Sequence, residues 1–368
     1  MKVVVTGAGG FIGRNLCATL DKIDGVEVNK VFSTTQRDDY SLWIKEADVI
    51  YHLAGVNRPK DPSEFLTGNA YFTREILEVA AEGGIVPTVV MSSTTQALMD
   101  NDYGKSKRAA EELIEEYASN RKIHGAIYRL PGVFGKWSRP NYNSVVSTFC
   151  HNIANELPLE VRDTRFALPL VYVDDVVQAF LSHLNSRFKG LGTFEVTPVF
   201  NTTLGELADI ISSFPGLRES LRAPKVGKGL EKRLYSTYLS YLPTHKFSYP
   251  IELKKDNRGD LFEWIKSEDF GQIFVSTTKP GITRGNHYHH TKTEKFLVIR
   301  GEAEIGFRQI DSDQVITYKV NGSKPTVVDI PTGYTHNITN TGQTELITLF
   351  WANEIFDTAH PDTYFLEV

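Results

Sequence analysis

The sequence predicts a chain of two parts, an α/β unit on a doubly wound parallel sheet followed by an all-β unit of the small-barrel type. Three observations predict it. Short apolar runs alternate with helix-spaced stretches over residues 1 to about 130. A glycine-rich turn joins the first run to the first helical stretch. From about residue 270 onward, short strands follow one another with turn residues between them and no helical spacing. A length of 368 residues also points to about two domains.

Taken in order, Val3-Val4-Val5, Asp48 to Leu53 and Thr88 to Met91 are runs of the kind buried on both faces of a parallel sheet. Gly13 to Leu20 and Tyr103 to Tyr117 are spaced as helices, and Ala109, Ala110, Leu113, Ile114 and Tyr117 form one stripe of the second. Strands alternating with helices imply right-handed crossovers between parallel strands. The texture changes around Thr244, so Pro243-Thr244-His245-Lys246 is the expected boundary between domains 1–245 and 246–368. Beyond it, Gln272 to Thr277, Glu294 to Ile299, Glu302 to Phe307, Val327 to Ile330 and Glu345 to Phe350 read as strands. Turns such as Lys279-Pro280-Gly281, Arg300-Gly301 and Pro331-Thr332-Gly333 separate them. Such a series builds a sandwich or a small barrel.

Composition narrows the function classes. Hydrophobic residues make up 41% and charged residues 23%, as in a soluble globular protein. A net charge of −5 gives no basic footprint for nucleic acid. No stretch nears the roughly 20 apolar residues of a membrane span. Met1 to Thr6 leads directly into a strand and a turn, without the regions of a signal peptide. Two cysteines, Cys17 and Cys150, make no disulfide framework, so a cytoplasmic location is expected.

Thr6-Gly7-Ala8-Gly9-Gly10-Phe11-Ile12-Gly13 lies between the first strand and the first helix. Gly7, Gly10 and Gly13 let the chain turn tightly and approach a pyrophosphate, which meets the helix N-terminus. An NAD enzyme usually places an acid about twenty residues further on, at the end of the second strand. Ser33-Thr34-Thr35-Gln36-Arg37 stands there instead. Hydroxyls with Arg37, or Arg14 at the helix start, suit a 2′-phosphate, which favours NADPH over NAD; Asp38 or Asp39 is the alternative ribose ligand. Tyr103 and Lys107 lie at i and i+4, on one face of a helix. An ammonium beside a phenol lowers the phenol's pKa and makes it a proton donor and acceptor near neutrality. A hydroxyl of Ser93 or Thr94, at the end of a buried strand, is placed to bind a substrate carbonyl.

Together with His52-Leu53-Ala54-Gly55 and Val171-Tyr172-Val173-Asp174-Asp175-Val176, these motifs resemble the extended short-chain dehydrogenases that act on nucleotide sugars, over residues 1–245. The resemblance implies a Rossmann-type domain in which Tyr103 is the acid, Lys107 its activator and nicotinamide-ribose ligand, and Thr94 the third catalytic group. It adds Phe11, Ile12, Leu53 and Ala54 to the cofactor site, and makes Arg129 to Gly135 the strand beside the nicotinamide.

Three of the ten histidines fall within His287-Tyr288-His289-His290. In an extended strand His287 and His289 share a face, whereas His290 points away. With Glu294 and His336 they make a set that suits zinc, iron, nickel or manganese. Gly281, His287, His289, Glu294 and Gly301, then Pro331, Gly333, His336 and Asn340, resemble the two cupin motifs, with Pro325 where the second motif opens on glycine. The resemblance implies a jelly-roll barrel holding a divalent metal, zinc being expected, on His287, His289, Glu294 and His336.

A reductase fused to a cupin resembles the CapF-type enzymes of bacterial capsule and O-antigen synthesis, over nearly the whole chain. That resemblance implies two successive activities on a UDP-linked 4-keto-6-deoxy amino sugar and a homodimer. The cupin would epimerise C3, and the reductase would then deliver hydride from NADPH to C4. Two other readings remain: a single-activity enzyme with a structural or sugar-binding cupin, and a non-enzymatic cofactor-binding regulator.

Overall fold

A computed structural model describes residues 1–184 and 188–368. Two compact units emerge: Met1–Ser212 with Gly227–Pro243, and Ser213–Val226 with Thr244–Val368.

The first unit begins β1 (Lys2–Thr6), α1 (Phe11–Leu20), β2 (Glu27–Val31), α2 (Arg37–Lys45) and β3 (Val49–His52). There follow a helical turn α3 (Ser63–Phe65), α4 (Phe72–Ala81), β4 (Thr88–Thr94), α5 (Asp102–Ser119) and β5 (His124–Leu130). Next come β6 (Gly132–Phe134), α6 (Val145–Ala154), β7 (Ala167–Tyr172), α7 (Val173–Leu181), β8 (Leu191–Phe194) and β9 (Phe200–Thr203). α8 (Leu204–Glu219) runs on into the second unit, and α9 (Gly229–Leu239) returns to the first.

Six parallel strands in the order β2-β1-β3-β4-β5-β8 form the central sheet. Pleating sends successive side chains to opposite faces. Val3 and Val5 therefore join one apolar cluster with Leu16, Leu20 and Phe180, and Val4 joins another with Ile44, Ile76 and Leu77. Both faces need apolar side chains, which is why these strands read as unbroken apolar runs. Ala110, Leu113 and Ile114 of α5 are buried in the second cluster, as their spacing predicts. The carboxyl ends of β1, β4 and β5, at Thr6, Thr94 and Leu130, define the edge where a parallel sheet leaves a crevice.

The second unit contains β10 (Lys254–Asp256), β11 (Gly259–Ser267), β12 (Gly271–Thr278), β13 (Thr283–Tyr288), β14 (Glu294–Arg300) and β15 (Glu302–Gln309). β16 (Val315–Asn321), β17 (Val327–Ile330), β18 (Tyr334–Asn340), β19 (Leu346–Ala352) and β20 (Tyr364–Phe365) complete it. They form two sheets, β10-β11-β12-β19-β14-β17 and β16-β15-β18-β13-β20. Inward-facing Phe296, Val298, Ile305, Ile338 and Phe350 fill the space between them.

β11 carries no clear strand signal, because Asp260, Glu263 and Lys266 interrupt its apolar pattern. It is held partly by chain that precedes Thr244. The Lys266 amide donates to the Leu221 carbonyl and the Ala223 amide to the Lys266 carbonyl, both at 2.8 Å, and Arg222 pairs with Glu268 at 2.6 Å. Among the described residues, no helix is long and apolar enough to cross a membrane.

Candidate active site and metal centre

The turn after β1 requires glycine at two points. Gly7 has φ +68°, and a Cβ there would lie 2.7 Å from the Ala54 nitrogen; at Gly13 it would lie 2.2 Å from the Gly7 carbonyl oxygen. α1 then starts with no side chain capping its first amides and no acid in its first turn. Such an end attracts an anion. Gly7, Gly10, Phe11, Ile12, Gly13 and Leu53 line a cleft of about 780 Å³. Ala54 lies beneath Gly7 and donates its N–H to Thr6 Oγ1 at 3.2 Å. This uncapped cradle fits the pyrophosphate of a dinucleotide. Gly7→Ala, which strains the backbone and meets Ala54, is expected to abolish binding of a reduced nicotinamide cofactor measured by fluorescence; retained binding would place the cofactor elsewhere.

The groups that bear on a 2′-phosphate stand apart from the cleft wall. Arg37 Nε pairs with Glu75 at 2.7 Å, with its side chain 68% exposed. The Arg14 guanidinium stacks 4.7 Å from the Trp137 ring centroid, and Ser33 is exposed.

α5 is capped by Asn101, whose Oδ1 accepts the Gly104 N–H at 2.8 Å. Its periodicity places Tyr103, Lys107 and Glu111 on one face. Tyr103 and Lys107 line the glycine cleft together with Ser93 and Thr94. Lys107 is 5% exposed, and its Nζ donates to the Ser92 carbonyl at 2.7 Å. Ser93 Oγ donates to the buried carboxylate of Glu111, which Arg129 Nη2 also holds at 2.7 Å. The Ser93 proton is thereby committed. Thr94 Oγ1 accepts the Gln96 N–H at 3.2 Å, and its own proton remains for another oxygen among the described contacts.

The electrostatics differ from the sequence expectation. Burial raises the Tyr103 phenol above its ordinary value, and the Lys107 ammonium, directed at Ser92, does not offset this. Burial brings Lys107 itself down to about 8, with Glu111 opposing the shift. His52, sealed between Thr6 and Thr73 at 2.9 Å each, is lowered to about 3 by burial and then by Lys107, so it is neutral. A phenol kept protonated is suited to giving a proton.

In the second unit, β13 and β18 pair His287 directly with His336. Glu294 opens β14 in the other sheet, and His289 follows β13. One ligand atom from each of these four residues lies within 4.8 Å of the others. His289 Nε2 and His336 Nε2 each approach Glu294 Oε2 to 3.4 Å. Both nitrogens are buried without a hydrogen-bond partner. Burial alone would raise Glu294, but His289 and His336 outweigh it and bring the carboxyl down to about 2. Burial, then the other two histidines, lowers His287 to about 4. An ionised carboxylate and orphaned buried imidazole nitrogens fit a divalent cation. His290 is exposed.

Residues 3–196 match the model of the NAD dependent epimerase/dehydratase family. The chain belongs to this family. Residues 254–364 match the polysaccharide biosynthesis C-terminal domain. The chain is 44% identical over 364 residues to UDP-2-acetamido-2,6-beta-L-arabino-hexul-4-ose reductase from Pseudomonas aeruginosa, covering 99% of this chain and 98% of that protein. The crystal structure of capsular polysaccharide assembling protein CapF from Staphylococcus aureus matches with a TM-score of 0.92 and 46% identity, covering 100% of both chains. CapF with the inhibitor 3-isopropenyl-tropolone matches at 0.85 and 41%, again covering 100% of both. The resemblance to CapF-type enzymes therefore extends along the whole chain.

In this epimerase/dehydratase family member the cleft extends to Trp137, Arg139, Tyr142 and Asn143. Arg139 and Asn143 thus face it, whereas Arg165 is exposed and outside its wall. Asn69 is a cleft residue that sequence reasoning missed. It sits in the irregular helical turn Leu66–Tyr71 and accepts the Val56 N–H at 2.9 Å. Its Nδ2 donates to Ser106 Oγ at 2.9 Å, and Ser106 in turn donates to the Tyr103 carbonyl at 2.8 Å. No local motif marks Asn69; only the approach of two distant segments does.

Proposed function

We propose that the chain carries out two consecutive steps on a UDP-2-acetamido-2,6-dideoxy-4-hexulose. The C-terminal cupin domain epimerises C3, and the N-terminal domain reduces C4 with NADPH. The product is UDP-2-acetamido-2,6-dideoxy-L-talose, a precursor of the N-acetyl-L-fucosamine of capsules and O-antigens. The observation that carries this reading is the grouping of Tyr103, Lys107 and Thr94 on the glycine cleft, in a chain 44% identical along its length to a 4-hexulose reductase.

Gly7, Gly10, Phe11, Ile12 and Gly13 would hold the cofactor pyrophosphate, with Leu53, Ala54 and Lys107 further along it and Arg14, Ser33 and Arg37 toward the adenosine. NADPH, when bound, supplies the hydride for C4. Thr94 Oγ1 donates a hydrogen bond to the C4 oxygen and fixes its position. Tyr103 gives that oxygen its proton, and the raised phenol pKa keeps the proton in place until needed. Lys107 supplies positive charge beside the developing alkoxide. His287, His289, Glu294 and His336 would hold a divalent cation, which we assign as zinc. When bound, it polarises the 4-ketone and so acidifies the C3 proton. Reduction removes the ketone that makes C3 acidic, so epimerisation comes first. We further propose that the enzyme is a cytoplasmic homodimer, with the boundary between its domains after residue 245 of the sequence.

The test is NADPH oxidation with a UDP-4-keto-6-deoxy-HexNAc generated in situ in D2O, the product being read by NMR. Oxidation with deuterium at C3 is expected. Oxidation without it would leave a plain C4 reductase, and no oxidation would reject the substrate class. The pH profile is a second test. Lys107 is charged below about 8 and loses its charge above. kcat/KM for NADPH oxidation is therefore expected to fall with an inflection near pH 8. A profile flat to pH 10 would remove Lys107 charge from the mechanism.

A further inference from the structure

We propose that the C-terminal strap, residues 361–366, is the outer shell of the metal centre, with Asp362 as the residue that positions His289. This rests on the metal-site reading above. The Asp362 carbonyl accepts the His289 Nδ1 proton at 2.5 Å. A carbonyl can only accept, so the proton resides on Nδ1 and the lone pair on Nε2, the atom facing Glu294. The same residue's carboxylate grips the turn that follows the ligand. It accepts N–H groups of His290 at 3.0 Å, Thr291 at 2.8 Å and Lys292 at 2.8 Å, and the Thr291 hydroxyl at 3.0 Å.

The strap is gripped in return. Lys292, 5% exposed, sends its Nζ to the Pro361 carbonyl at 2.7 Å and to Thr363 Oγ1 at 3.0 Å. β20 pairs with β13 at His287 and Tyr288, and the Leu366 amide donates to the Asn286 carbonyl at 3.0 Å. Asp362 has φ +37°, a left-handed backbone unusual for a non-glycine residue. The network on both sides of it holds that conformation. Two ligands, His287 and His289, are therefore braced by chain that arrives some 73 residues later. This contact lies outside both histidine motifs. It makes cation binding and strap docking reciprocal: each stabilises the other.

The experiment uses the full-length protein stripped of metal, with circular dichroism melting to show that each variant folds. Zinc affinity is measured by competition with a chromophoric chelator, and Co²⁺ absorption reports the ligand geometry. Asp362→Ala is expected to weaken zinc binding ~10–100-fold and to change the Co²⁺ spectrum. Asp362→Asn, which keeps one acceptor oxygen, is expected to recover part of both. Lys292→Met, which removes the grip on Pro361 and Thr363, is expected to shift affinity in the same direction. Wild-type affinity and spectrum in Asp362→Ala would overturn the proposal; should that variant not fold, wild-type behaviour of both other variants would do so. A wild-type protein that binds neither zinc nor cobalt would instead remove the metal reading itself.

Discussion

The Tyr103→Phe protein is expected to oxidise NADPH ~10²–10⁴-fold more slowly while still introducing deuterium at C3 of the 4-keto sugar. Tyr103 lines the cleft, burial keeps its phenol protonated, and Lys107 follows it by one turn on the same helix face. Phenylalanine keeps the ring packed against Phe65, 5.7 Å between centroids, so the loss reads on the hydroxyl rather than on the fold. Single-turnover NADPH oxidation and NMR of the recovered sugar separate the two steps. Undiminished oxidation would mean that another group gives the proton to C4. Loss of deuterium incorporation as well would mean that the first unit also handles the C3 proton, and the division of labour between the two domains would fail.

His287→Ala is expected to produce the opposite pattern. Its ring is half-buried, unlike the sealed His336, so its removal disturbs the core less than that of the other ligands. Three ligands then remain, and zinc content and C3 deuteration are expected to fall ~100-fold or more, beyond the usual cost of a lost outer-shell contact. Reduction of a sugar already inverted at C3 proceeds unchanged. Elemental analysis of the purified protein and NADPH assays on the two C3 epimers make the comparison. Normal C3 exchange in a zinc-free variant would remove the metal from the C3 step.

Much of both candidate sites was legible because the residues brought together there stand at short spacings. Tyr103 and Lys107 share a face of any helix that contains them, and His287 and His289 lie two residues apart beside a strand end. Gly7, Gly10 and Gly13 must lie in a turn if a strand is to pass directly into a helix. The apolar runs of β1, β3 and β4 announced a sheet covered on both faces, for the same reason of local period. β11 was not legible, since charged residues interrupt its alternation and part of its support comes from residues 221–223.

The sequence by itself determined the two-part fold and which side chains were available for each site. Only the tertiary structure decided how those side chains are occupied. Ser93 is spent on Glu111 eighteen residues along, Lys107 on the Ser92 carbonyl, Arg37 on Glu75, and His289 on Asp362 at the far end of the chain. The direction of the Tyr103 shift was decided there too, by burial rather than by its neighbour four residues on. The physical reason is common to all of them. Periodicity encodes which residues share a face, whereas solvent exclusion and the partners of a polar group depend on segments brought together from far apart, about which local spacing carries no information.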